Sequence, residues 1–170
     1  MYHRFGEVKY PSTNIKVDQL ESHLNYLKDQ NFEFIYAKDL LFPDNLLKKT
    51  ISITIDDAYL SFYEVGLPVF EKYKIPVTLF LNTENIGGNN YMSWEQLKEV
   101  LNRGVDIQNH THSHSSLPKL DKIEIINEIE KSQDLIYENL GITPHLFAYP
   151  FGESSALVQE IVAQYFDAAF

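Results

Sequence analysis

Apolar and polar positions follow two periods along this chain. Residues 50–56, Thr-Ile-Ser-Ile-Thr-Ile-Asp, alternate strictly and are mostly β-branched, which predicts a strand with one buried face. Phe32-Glu33-Phe34-Ile35 alternates in the same way. Residues 75–81 are almost all apolar, as in a strand buried on both faces. Val17, Leu20, Leu24 and Leu27 recur at helical spacing and predict an amphipathic helix over 17–30. A second helix is expected over 59–73, interrupted near Gly66 and Pro68. Ser93 with Gln96 three positions on forms a capping box for a third, which should stop near Gly104. A short strand, Val105 to Gln108, comes next. Asp121 caps a long helix with Ile126, Ile129, Ile136 and Leu140 as its buried stripe, and Gly141 ends it. Residues 145–149 read as a strand, 154–165 as a helix, and 166–170 as the start of another strand.

This alternation of strand and helix predicts parallel β/α architecture in a single domain over 1–170. Such folds keep their chemistry at the carboxyl ends of the strands. Those ends carry Asp56-Asp57, Asn82-Thr83-Glu84, Asn109-His110 and Tyr149-Pro150-Phe151-Gly152. Polar and irregular groups therefore converge on one rim.

Composition narrows the chemistry. The chain has no cysteine, so disulfides, thiolate nucleophiles and cysteine-held metals are excluded. Any metal must rest on His, Asp, Glu or backbone oxygen. The formal net charge is −10, and Arg4 and Arg103 are the only arginines. A nucleic-acid binder needs a basic stripe, and none is present. No apolar run approaches the roughly 18–20 residues of a membrane span.

His110-Thr111-His112-Ser113-His114 places three of the chain's six histidines in five residues just past a strand. A helical turn would bring His110 and His114 to one face with His112 turned away; a continued strand would put all three on one face. A solvated polar loop is the alternative. Asp56-Asp57 offers two carboxylates facing different directions, or else a helix N-cap. One carboxylate with two imidazoles is a three-ligand set with positions left for water, the layout of a catalytic metal. The other Asp can deprotonate that water. The residues point to metal-assisted hydrolysis of an acyl bond.

Three segments carry a family resemblance. Thr54-Ile55-Asp56-Asp57-Ala58 resembles the T-F-D-D-G signature of the polysaccharide deacetylases, the NodB-homology group or carbohydrate esterase family 4. Asn109-His110-Thr111-His112-Ser113-His114 is similar to the family's [SN]-H-T-x-x-H signature, and Phe147-Ala148-Tyr149-Pro150-Phe151-Gly152 to its R-x-P-[YF]-G motif. Met1-Tyr2-His3 resembles the opening strand of members acting on poly-N-acetylglucosamine. The resemblance implies a distorted (β/α) barrel and hydrolysis of N-acetyl groups on amino sugars. It implies that Asp57, His110 and His114 bind a divalent metal, commonly zinc, and that Asp56 is the general base. The backbone N–H of Phe151 would hold the oxyanion, with Tyr149 and Pro150 forming the wall beside it. An N-acetylated polysaccharide is the implied partner. A cell-envelope location is implied by the resemblance alone, and Met1 to Gly6 show no export pattern.

Two departures stand out. Ala148 occupies the place of the motif arginine, a variant of the poly-N-acetylglucosamine branch; Arg4 is either a substitute or a surface arginine. The family's later motifs, which supply an apolar patch and an acidic His, do not follow Phe170, so the barrel is expected to lack its last strands. His145 should lie at the opposite end of the barrel, His3 near the rim, and His23 on a solvated helix face. Tyr59, Tyr91 and Trp94 follow strand-end loops and can stack on sugar rings or pack in the core. A non-catalytic glycan-binding module and a hydrolase of non-sugar amides are the alternatives to a deacetylase.

Overall fold

The computed structural model describes residues 1–42 and 49–170. Six parallel strands form one sheet in chain order: β3 (Glu33–Ile35), β4 (Thr50–Asp56), β5 (Val77–Leu81), β6 (Asp106–Asn109), β7 (Leu146–Phe147) and β8 (Ala168–Ala169). A separate pair, β1 (Arg4–Phe5) and β2 (Asn14–Ile15), lies near the carboxyl half of β4, because Tyr2 bridges to Ile55. Among the described residues no pairing joins β3 to β8, so the sheet is a distorted (β/α) barrel open at that side.

The strict alternation of β4 divides two environments. Ile53 and Ile55 enter the main core, where they meet Leu20 and Leu24 of α1 (Val17–Asp29), Phe70 of α2 (Leu67–Tyr73) and Leu97 of α3 (Trp94–Asn102). Each such side chain contributes about 1.5–3 kcal/mol on burial. Thr54 and Asp56 face the barrel interior instead, toward a cleft. Lower in that interior, Ala37 and Leu41 of a short 3₁₀ segment pack with Phe80, Leu146 and Ala148.

The break expected near Gly66 and Pro68 is a π-helical turn, Phe62–Gly66, that leads directly into α2. A Cβ at Gly66 would lie 2.9 Å from the Phe5 ring, so only glycine lets this turn approach β1. The capping boxes at Ser93 and Asp121 are present. The stripe of α4 (Lys122–Leu140) differs from expectation: Ile125, Ile129, Ser132 and Ile136 are buried, while Ile126 and Leu140 are half-buried at its margins. The helix is held from two sides, by the main core and by a second cluster with α5 (Ala156–Val162), so Ile129 and Ile136 are buried as expected while the rest of the buried face shifts toward Ile125 and Ser132.

Candidate metal centre

The β4 ladder runs one residue past its strand, where the Asp57 N–H donates to the Phe80 carbonyl at 3.0 Å. The chain then turns through positive φ at Asp57 (75°) and Ala58 (59°). Residues 58–60 pair with 90–92 through Met92 N–H to Ala58 O and Leu60 N–H to Asn90 O. This pins the turn and leaves both carboxylates at the rim.

His110 follows β6, and its N–H extends the ladder to the Leu81 carbonyl at 3.0 Å. The loop after it is neither helix nor strand. Thr111 and His114 have φ of 69° and 59°, which brings the His114 ring back beside His110, with ring centroids 4.8 Å apart. His112 points away and hydrogen-bonds Thr83 Oγ1 at 2.8 Å through Nδ1.

Asp57, His110 and His114 thus converge, with their candidate ligand atoms within 4.8 Å of one another. Asp57 Oδ1 lies 3.3 Å from His114 Nε2 and 3.7 Å from His110 Nε2. The His110 Nδ1–H donates to the Ala148 carbonyl at 2.8 Å, which leaves the Nε2 lone pair facing Asp57. Burial pushes the His110 imidazole down to about 4, so the ring is neutral and able to act as a ligand. Asn82 Nδ2 donates to Asp57 Oδ1 at 3.0 Å and is itself oriented by Asn85. A carboxylate and two imidazole nitrogens on one point fit a divalent cation.

Asp56 is 8% exposed, and its Oδ1 has no hydrogen-bond partner among the described residues. Burial first, and the Asp57 charge second, push its carboxyl up to about 7. Both Asp residues line a cleft of about 590 Å³ with His3, Tyr59, Tyr149 and Phe151. Pro150 is buried behind it, while Phe151 is 68% exposed, has φ of 61°, and sets its ring edge-on to His114 at 4.6 Å.

Other expected residues lie elsewhere. Trp94 opens α3 half-buried against the main core and does not line the cleft. Tyr91 packs on Tyr59 at 4.8 Å. Arg4 is no surface arginine. It is buried, its guanidinium lies 3.4 Å from the Tyr59 ring centre and 4.4 Å from that of Tyr10, and it pairs with Glu7 at 3.1 Å. It is engaged there and leaves Asp56 Oδ1 unpartnered. His145 is exposed at the far end of the sheet, and exposed His23 shares a hydrogen bond with the Tyr2 hydroxyl. Asn82 was visible in the sequence only as part of a polar strand end; its contact with Asp57 needs the β4–β5 register.

Comparison with known proteins agrees with this geometry. The family model for polysaccharide deacetylase matches residues 44–166. The poly-beta-1,6-N-acetyl-D-glucosamine N-deacetylase of Staphylococcus aureus (strain MSSA476) is 29% identical over 156 residues, covering 82% of this chain and 54% of its own. The chain therefore spans about half the length of the curated relatives it matches. The deacetylase PplD of Streptococcus pyogenes, solved in complex with acetate, superposes with a TM-score of 0.87 at 25% identity, over 97% of this chain and 78% of its own. IcaB from Ammonifex degensii gives 0.84 at 27% identity with the same coverage. Among the described residues no helix is long and apolar enough to cross a membrane.

Proposed function

This chain belongs to the polysaccharide deacetylase family, and on that premise we propose that it removes N-acetyl groups from a polysaccharide containing N-acetylglucosamine. The observation that carries the reading is the convergence of Asp57, His110 and His114 beside a buried, unpartnered Asp56 oxygen in one cleft. Asp57, His110 and His114 would hold a divalent cation, for which zinc suits two imidazoles and one carboxylate. Bound there, the cation supplies positive charge that polarises an acyl oxygen and acidifies water.

The chain's own residues carry the other tasks. Asp56 accepts the proton of the attacking water. Its burial makes it a stronger base than an exposed carboxylate, and a cation on Asp57 would offset the neighbouring charge that opposes its ionisation. The backbone N–H of Phe151 donates to the developing oxyanion, held in place by the left-handed turn at that residue. Tyr149 forms the adjoining wall, with Pro150 buried beside it, and Tyr59, held by Arg4 and Tyr91, lines the cleft where the sugar would lie. Acetate, the molecule bound in the Streptococcus relative, is the product expected here.

The test pairs zinc stoichiometry with acetate release from an N-acetylglucosamine oligomer. One zinc per chain with acetate release supports the reading. Zinc and oligomer binding without acetate release marks a binding module instead, and absence of zinc binding overturns the site.

A further inference from the structure

The loop that carries the two histidines lies outside any strand ladder: the segment after β5 holds its carbonyls, with the Thr83 and Glu84 N–H groups donating to Thr111 O at 3.3 Å and His112 O at 3.0 Å, and α4 holds its amide N–H groups. Left-handed backbone at Thr111 and His114 turns the amide groups of His112 and Ser113 out of any strand ladder. Glu128, on α4, takes both through a single carboxylate oxygen: Oε2 accepts from the His112 N–H at 3.1 Å and the Ser113 N–H at 2.7 Å. Successive N–H groups around a left-handed residue form a natural anion cradle, and a carboxylate of the chain fills it here. One helical turn on, the Ser132 hydroxyl accepts from Asn109 Nδ2 at 2.6 Å, and Asn109 Oδ1 accepts from the Thr111 N–H at 2.8 Å. The helix therefore grips the loop at its start and its middle. Between those grips and His114 only the Thr111 hydroxyl intervenes, accepting from the His114 N–H at 3.1 Å.

We propose that Glu128 is a positioning residue that holds the His110–His114 loop in its ligating shape and so sets the affinity of the centre for its cation. The inference rests on the metal-site reading above. Glu128 touches neither ligand ring; it acts through the backbone between them. Loss of its side chain frees two adjacent amides and lets His114 drift from His110, so part of the binding free energy must then be spent on reordering the loop. Outer-shell contacts of this kind change metal affinity by roughly 10–100-fold.

The test uses the full chain, stripped with a chelator and titrated calorimetrically with zinc, as wild type, Glu128→Ala and Glu128→Gln. Amide hydrogen exchange at His112 and Ser113 is followed in the zinc-free proteins. Zinc affinity is expected to fall at least about tenfold in Glu128→Ala, with Glu128→Gln between it and wild type, because the amide oxygen still accepts both bonds without the charge. Exchange at both amides is expected to accelerate in the same order. Folded Glu128→Ala with zinc affinity within twofold of wild type overturns the proposal. If that variant does not fold, Glu128→Gln decides: at least threefold weaker binding with faster exchange supports the proposal, and unchanged values overturn it. A wild type that binds no zinc defeats the metal-site reading, and exchange at the two amides then decides alone whether Glu128 holds the loop.

Discussion

The sheet has a hollow at each end, and the larger one is not the better site. At the amino end, about 750 Å³ opens between the 3₁₀ segment Ala37–Leu41, the start of β6, and His145 with Asp167. Its polar groups are already partnered: Lys38 meets Asp106 at 3.0 Å, Asp39 Oδ2 accepts from the Tyr36 N–H at 3.0 Å, and exposed His145 lies 3.7 Å from exposed Asp167. Pairs of that kind contribute about 0–1 kcal/mol and leave little for a ligand to do. At the carboxyl rim, about 590 Å³ holds two buried carboxylates, a buried neutral imidazole and a second imidazole, crowded together with one carboxylate oxygen unpartnered. A cation relieves that crowding. What distinguishes the two ends is uncompensated buried polarity, not volume.

The sharpest way to break this contrast is to remove a polar side chain at each end. Asp57→Ala is expected to weaken zinc binding by more than the roughly 100-fold typical of the largest outer-shell changes. His145→Ala is expected to leave it within twofold, since His145 sits at the far end of the sheet. Equal losses from the two variants, measured by zinc titration, would erase the distinction between the ends.

A smaller effect isolates Asp56. Asp56→Asn is expected to lower kcat for acetate release by on the order of 10²–10⁴ while zinc still binds. The same variant tests the cost of burial in zinc-free protein. Because the folded-state carboxyl is raised to about 7 from an unfolded value near 4, the folded chain binds more protons than the unfolded chain between those values. The Asp56 contribution to stability is therefore greatest below about pH 4 and declines as pH rises toward 7. Urea midpoints should show that decline in wild type and a flatter profile in Asp56→Asn; parallel profiles would assign the pH dependence to other groups.

The smallest expected effect concerns strain at the rim. Ala58 is buried with φ of 59°, at the position where the family signature carries glycine. Ala58→Gly removes a left-handed penalty of about 1–2 kcal/mol and forfeits about 0.8 kcal/mol for the buried methyl. A net gain of up to about 1 kcal/mol in urea unfolding is expected. A loss of that size would show that methyl packing, not backbone strain, governs this turn.

Much of this was legible in the chain itself. Alternation gave away β4, the continuous apolar run marked β5, and Ser93 and Asp121 announced their helices, because each of these signals is local and repeats at the period of its element. The candidate trio was legible in part: a parallel β/α chain brings its strand ends to one rim, which set the Asp56-Asp57 pair near the His-x3-His pair, while the choice of Asp57 over Asp56 rested on the family resemblance. Contacts set by register or by three-dimensional packing left no such mark. The α4 face kept Ile129 and Ile136 but shifted toward Ile125 and Ser132 because two clusters share it, and Arg4 became a buried cation stacked on Tyr59.

The sequence by itself determined the order of strands and helices, the rim where chemistry collects, and the residue types available to a cation in a chain without cysteine. The tertiary structure decided which neighbours hold those residues. Asn82 reaches Asp57 across the β4–β5 register, and Glu128 reaches the amides of His112 and Ser113 from a helix that begins eight residues after His114. Periodicity encodes which way a side chain faces its own element. It does not encode which distant group the fold will set against it, because that depends on how whole elements pack.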